Sequence, residues 1–256
     1  MNTIATRMPR AALVRCYALE SRNEFLRLLR TPSFAVPTLL FPPLFYTLFA
    51  LLLGSRSGNF HAQIYLLATY GVFGVMGPGL FGFGVTVALD RERGLLTLKR
   101  AQPMPPGAYL AAKLVMAMLF ATLIFTILAL LASAFGGVRL PAGAWLQLLV
   151  VDVLGVLPFC AIGLFVGSLV GGQGAPALIN LIYLPMAFLS GLWMPLAMLP
   201  GFIATIAPLW PAWHLGRLAL GVVGEAPGEA VLPHVLVLAG CTLVFLALAR
   251  RRLARG

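Results

Sequence analysis

Hydrophobic positions in this chain fall in long blocks. Six of them, about 33–53, 63–89, 111–135, 144–170, 176–193 and 231–249, run near 20 residues with very few charges. An α-helix needs about 20 apolar residues to cross the roughly 30 Å of bilayer hydrocarbon. The pattern predicts an all-α, polytopic membrane protein with six transmembrane helices. Two other stretches read differently. In residues 1–32 the apolar Val14, Tyr17, Phe25 and Leu28 recur at roughly helical spacing between Arg15, Arg22, Arg27 and Arg30. That suits an N-terminal amphipathic helix on the inner membrane surface, ended by Thr31-Pro32. Residues 194–228 hold Pro195, Pro200, Pro208, Pro211 and Pro227 around apolar pieces too short to cross. They predict an outer re-entrant helical hairpin between spans five and six, with Trp193, Trp210 and Trp213 at headgroup level.

Charge sets the orientation. Of 18 Lys and Arg, six lie in residues 1–32, five between Arg91 and Lys113, and four at the C-terminus, against Arg56, Arg139 and Arg217 on the other side. Only six spans with both termini in the cytoplasm satisfy that asymmetry. The expected organisation is a cytoplasmic interfacial helix (1–32), a transmembrane domain (33–249) with a cytoplasmic loop at 90–110, and a basic tail (250–256). Six arginines and the lack of an early apolar run in residues 1–32 argue against a cleaved signal peptide. The first span is expected to act as a signal-anchor.

Within the blocks several residues stand out. Pro42-Pro43 marks a kink in the first span, and the second is rich in glycine and interrupted by Pro78. Gly163, Gly167 and Gly171 form a GxxxGxxxG series that would put three glycines on one helix face for close packing. Asp152 sits about eight residues into the fourth span, roughly 12 Å deep at 1.5 Å per residue. A carboxyl at that depth marks a substrate path or a buried partner unless the span starts later. Pro78 and Gly191 are further candidates for the path or for packing.

Composition then excludes several classes. The chain is 61% hydrophobic, and its net charge of +11 lies beside apolar blocks. That reads as topology signal and phospholipid contact, with no nucleic acid partner. There is no phosphate-binding GxxxxGK[ST] loop and no HExxH or Ser-His-Asp arrangement. Cys16, Cys160 and Cys241 show no ligand spacing, and His61, His214 and His234 lie far apart on the expected outer side, so no metal or catalytic site is expected.

The densest charge is at Leu89–Pro106, where Asp90, Arg91, Glu92, Arg93, Lys99 and Arg100 fall within eleven residues. Gly94 should break the helix leaving the second span, and Leu95–Ala101 can form a short helix. Leu95, Leu96 and Leu98 would face one side, with Thr97, Lys99 and Arg100 on the other and Pro103, Pro105 and Pro106 as the stop.

The run Glu92-Arg93-Gly94-Leu95-Leu96-Thr97-Leu98, continuing to Arg100-Ala101-Gln102-Pro103, resembles the cytoplasmic loop of type-2 ATP-binding-cassette (ABC) exporter permeases. That loop usually reads E-R-G-T-L-E, then R-x-x-P. Leu95 and Thr97 depart from it, and Lys99 interrupts an apolar run. Phe188-Leu189-Ser190-Gly191, Met194-Pro195-Leu196, Leu199-Pro200, Pro208-Leu209 and Arg217 are similar to the family's fifth-span ending and outer hairpin. With the hydropathy, the resemblance covers nearly the whole chain.

It implies a permease subunit that is no enzyme itself and that moves a substrate outward through the inner membrane. ATP and Mg would be held by a separate ATPase subunit, and a second permease copy or paralogue would complete the transporter. Glu92, Arg93, Gly94, Leu95, Leu96, Leu98, Arg100 and Pro103 would couple to the ATPase. Spans one, two and five would line the path for a lipid-like, drug-like or glycan-linked cargo. A non-transporting membrane scaffold remains the alternative. A secondary transporter would call for paired midplane charges and repeat symmetry, and only Asp152 is available.

Overall fold

The computed structural model describes residues 9–53, 60–102, 104–105 and 107–255, and it is helical throughout apart from turns. Helix α1 (Arg10–Leu29) carries the basic N-terminal stretch and packs against α6 (Ala108–Ala134). Helix α2 (Pro32–Tyr46) starts directly after Thr31 and passes into π-helical turns over Thr47–Leu53. Its three internal prolines do not break it. The Thr47 hydroxyl donates to the Pro43 carbonyl (2.8 Å), and the Pro42 ring fits against Gly74 of the next span. Side-chain donors and close neighbours of this kind let membrane helices keep proline. The expected turn after this span covers residues 54–59, outside the described part.

Helix α3 (Phe60–Gly77), a π-helical segment at Pro78–Val85, and α4 (Thr86–Glu92) form one continuous rod. Pro78 begins the wide turns, which accommodate its missing N–H without ending the helix. This rod is the most buried of the apolar helices, enclosed by α2, α6, α7 (Ala142–Leu169) and α8 (Ala175–Leu189). A short α5 (Leu95–Ala101) follows α4, and α9 (Gly201–Ile206), α10 (Pro211–Val222) and α11 (Val231–Arg255) complete the chain.

Among the described residues, five helices are long and apolar enough to cross a membrane: Pro32–Leu52, Ala62–Glu92, Ala108–Ala134, Ala142–Leu169 and Val231–Leu253. The fifth expected span, 176–193, is shorter than read. Helix α8 has 15 residues and stops at Leu189, about 22 Å of helix by rise per residue. Its end is local chemistry. Gly191 is left-handed (φ +73°), and the Leu192 N–H reaches back to the Ala187 carbonyl, closing a Schellman turn. In the expected basic tail, α11 continues as helix through Arg250-Arg251-Arg252 to Arg255. Arginines at a helix C-terminus complement its dipole.

The three glycines of the series do not stay together. Gly163 and Gly167 lie on α7 against the π-helical segment, but Gly171 does not share their face. Helix α7 ends at Leu169, and Val170 is extended. The contact that remains is backbone on backbone. A Cβ on Gly163 would sit 2.8 Å from the Gly79 carbonyl oxygen, and one on Gly84 would sit 2.5 Å from that of Gly163. No rotamer change relieves a clash with main chain, so the two segments would have to separate. We expect Gly163→Leu to lower the thermal unfolding midpoint in mild detergent sharply, with an overpacking cost of at least about 3 kcal/mol. Gly143→Ala, in open space near the start of α7, should leave the midpoint unchanged.

Candidate functional site at the charged loop

The chain has only seven acidic residues, and four of them (Glu20, Glu24, Asp90 and Glu92) meet at the basic end of the bundle. At the centre is Lys113 of α6, fully buried. Its ammonium has three donors and three acceptors: Glu24 Oε1 at 2.6 Å, Thr86 Oγ1 at 2.6 Å and Asp90 Oδ2 at 3.1 Å. It also lies 4.9 Å from the centre of the Tyr109 ring, whose hydroxyl donates to Asp90 Oδ2 at 2.7 Å. Arg27 closes the group, 2.7 Å from Glu24 and 3.1 Å from Asp90. Partial burial works against the Arg27 charge, but the Asp90 hydrogen bond and the Glu24 charge outweigh it and hold its pKa above the ordinary value. The sum is two carboxylates against two cations, drawn from α1, α4 and α6. The Thr86 hydroxyl also donates to the Gly82 carbonyl (2.6 Å) in the π-helical segment, tying the ion cluster to the backbone of the central rod.

The other flank of the loop binds the far half of the bundle. Arg91 donates to the carbonyls of Ser168 (2.7 Å) and Val170 (2.8 Å), capping the C-terminal end of α7. The Glu92 carboxylate accepts the Gly172 N–H in the turn between α7 and α8. These bonds draw the chain off the helix after Leu169, which is why Gly171 leaves the glycine face. Gly94, left-handed at φ +71°, then turns the chain into α5.

On α5, Leu95 and Leu96 are half-buried, as a single apolar side would have them, but Leu98 is 58% exposed. Lys99 points inward and pairs with Glu20 of α1. Opposite charge on α1, invisible from the loop itself, rotates the polar side of α5 toward the protein. Glu92, Arg93, Gly94 and Leu98 are exposed together. The side chain of Arg100, and Pro103 as a whole, lie outside the described residues.

Asp152 is buried and sits ten positions after the first residue of α7, about 15 Å along it. The helix starts at Ala142, two residues before the expected start of the span. A Cβ on Gly71 would meet Asp152 Oδ2 at 2.6 Å, and Oδ1 has no hydrogen-bond partner. Pro78 and Gly191 do not share its surroundings; the first opens the π-helical turns and the second ends α8.

At the opposite end, two of the three histidines meet. His214 Nε2 lies 2.9 Å from the Pro208 carbonyl and so donates to it. Its Nδ1 then accepts from His234 Nδ1 at 2.9 Å. His234 Nε2 is 3.4 Å from Glu229, which Arg217 also holds through Nε at 2.6 Å. This chain pins α10 to the start of α11. A cavity of about 210 Å³ lies beside it, bordered by Tyr65, Thr69, Ser190, Gly191, Trp213 and Arg217. The Thr69 and Ser190 hydroxyls at its wall have no partner. Among the described residues, no group of three or more His, Cys, Asp or Glu is placed to hold a metal ion.

A bundle of apolar helices wired through its basic end to an exposed charged loop is the architecture of a multi-pass membrane protein. The model of the ABC-2 family transporter protein matches residues 53–251. The chain therefore belongs to the ABC-2 transporter family. It is also 25% identical over 232 residues to "Putative transport permease YvfS" of Bacillus subtilis (strain 168), covering 90% of this chain and 94% of that one.

Two outcomes follow from the geometry. Lys113→Met leaves Glu24 and Asp90 buried with only the partly exposed Arg27 between them, a loss on the order of 3 kcal/mol. Folded yield in detergent should fall steeply, and Asp90→Asn in the same chain should restore part of it. At the opposite end, burial holds His214 below the ordinary histidine pKa, against the Pro208 hydrogen bond that raises it, and His234 lowers it further. The unfolded chain then binds the extra proton first, so stability falls as pH drops from about 6.5 toward the folded pKa. Amide exchange over Pro211–Val222, corrected for intrinsic rates, should quicken across that window. His214→Gln should flatten the change.

Proposed function

We propose that this chain is the membrane-spanning subunit of an ATP-driven exporter, with hydrolysis carried out by a separate ATPase subunit that binds ATP and Mg. The observation that carries this reading is the wiring of the charged loop. Asp90 holds it to α1 and α6, while Arg91 and Glu92 hold it to the α7–α8 turn. A push on α5 from a soluble partner would therefore reach both halves of the bundle without loss in a flexible linker. Exposed Glu92, Arg93, Gly94 and Leu98 offer the partner its contact, with Leu98 as the apolar anchor.

In this reading the basic end faces the cytoplasm, both termini included, and the protein sits in the bacterial inner membrane beside a second permease copy or paralogue. Cargo moves outward, and its apolar surroundings favour a lipid-like, drug-like or glycan-linked molecule. Family membership supports the ATPase partnership in general.

Co-expression with the neighbouring genes, followed by mild-detergent purification of the tagged chain, tests it. We expect a Walker-motif ATPase to co-purify in stoichiometric amount with wild type. Leu98→Arg, which changes an exposed side chain, should lower its recovery about tenfold, a loss of roughly 1.4 kcal/mol, with the permease still folded. A stable, dimeric chain without any ATPase would point instead to a scaffold.

A further inference from the structure

A groove of about 610 Å³ runs between α1 and α6, away from the ion cluster. Ala111, Val115 and Leu119 form its wall on α6, at successive one-turn steps. From the first to the last is eight residues, about 12 Å along the helix. One leaflet of hydrocarbon is about 15 Å deep. The groove thus runs for most of a leaflet, from the charged end of α6 inward. Its other wall is α1, where Val14 and Tyr17 line it and Val14 is 66% exposed.

The rim carries charge that the protein does not use. Arg22 lines the groove, and Arg15, seven residues earlier, falls on the same face; both are exposed. All four acids at this end are already engaged by Arg27, Lys99, Lys113 and the Gly172 amide. Among the described residues neither Arg15 nor Arg22 forms an ion pair. An apolar slot of leaflet depth below two unpaired guanidiniums calls for an occupant with a hydrocarbon tail and an anionic head.

We propose that the α1–α6 groove is a binding site for one anionic phospholipid of the inner leaflet, with an acyl chain along Ala111–Leu119 and its phosphate between Arg15 and Arg22. The inner-leaflet assignment rests on the orientation proposed above, whereas the site itself needs neither that orientation nor the ATPase. Guanidinium forks match phosphate oxygens bidentately, so the preference should be for charge and not merely for a tail. Bound lipid would fill the gap beside α1 and so brace the helix that supplies Glu24 and Arg27 to the ion cluster.

Native mass spectrometry of the full chain, with phosphatidylglycerol or phosphatidylcholine added in equal amounts, tests this. Wild type should retain phosphatidylglycerol at least about fivefold more, the ratio expected for one kcal/mol of preference. The double variant Arg15→Gln/Arg22→Gln should bring the two lipids level. Ala18→Trp and, from the opposite wall, Val115→Trp should each abolish the excess while the protein elutes as wild type. Equal retention of the two lipids by wild type would overturn the proposal, as would an excess that survives both tryptophans. If the tryptophans split a dimer and leave the lipid signal intact, the groove is a contact between copies and the proposal fails.

Discussion

The Lys113 ammonium is the constraint on which the basic end of this protein depends. A cation with no exposure beside an apolar span is tolerable only if every N–H has an acceptor and the charge is matched. Both conditions are met, but only by bringing α1, α4 and α6 to one point. The cluster therefore works less as a source of stability than as a specification of geometry. If α1 drifts, Glu24 is lost; if α4 rotates, Asp90 and Thr86 are lost. Because Thr86 also reaches the Gly82 carbonyl, the same requirement sets the phase of the π-helical segment that follows the buried α3.

That segment imposes a second constraint. Its wide turns and glycines bring its backbone against α7 at Gly163 and Gly167, with no side chain between them. Two rods in such contact cannot slide without losing most of their dispersion contacts. Arg91 and Glu92 fasten the same pair of elements beyond the apolar region. The α4–α7 side of the bundle is thus held twice, by backbone contact within the apolar core and by charge at its end. The α8 side is held by the turn and by side chains, with Tyr183 packed on Phe73 and Phe81 of the central rod. A displacement of the charged loop would move α4 and α7 as a unit and change their relation to α8.

Much of this was legible in the sequence because the lipid-spanning requirement acts on run length. Spans one to four and six were readable to within a few residues, and so was the position of the charged loop. Two boundaries were missed for local reasons. Gly191 in a left-handed turn shortened the fifth block, and Arg91 pulling on the Ser168 and Val170 carbonyls removed Gly171 from its helix. The site was harder. Asp90 and Glu92 stood out as charges, but their partners lie 19 to 80 positions away. Glu24 and Lys113 lie 89 positions apart, and Lys113 reads in the sequence only as a topology charge. The mismatch that could have found them was visible: four acids on the side where basic residues dominate have no topological use, so they must be there to pair.

The two ends of the molecule solve the same problem with opposite materials. At the basic end a full set of charges is enclosed and satisfied. At the other end α8 stops short, a cavity remains, and the Thr69 and Ser190 hydroxyls at its wall are left without partners. Asp152, set against Gly71, adds an Oδ1 with no hydrogen-bond partner among the described residues. Unpaired buried polar atoms are costly and are kept where they serve something other than folding. Thr69, Asp152 and Ser190 lie along α3, α7 and the end of α8, so the unmatched polar groups and the fully matched charges occupy different parts of the molecule.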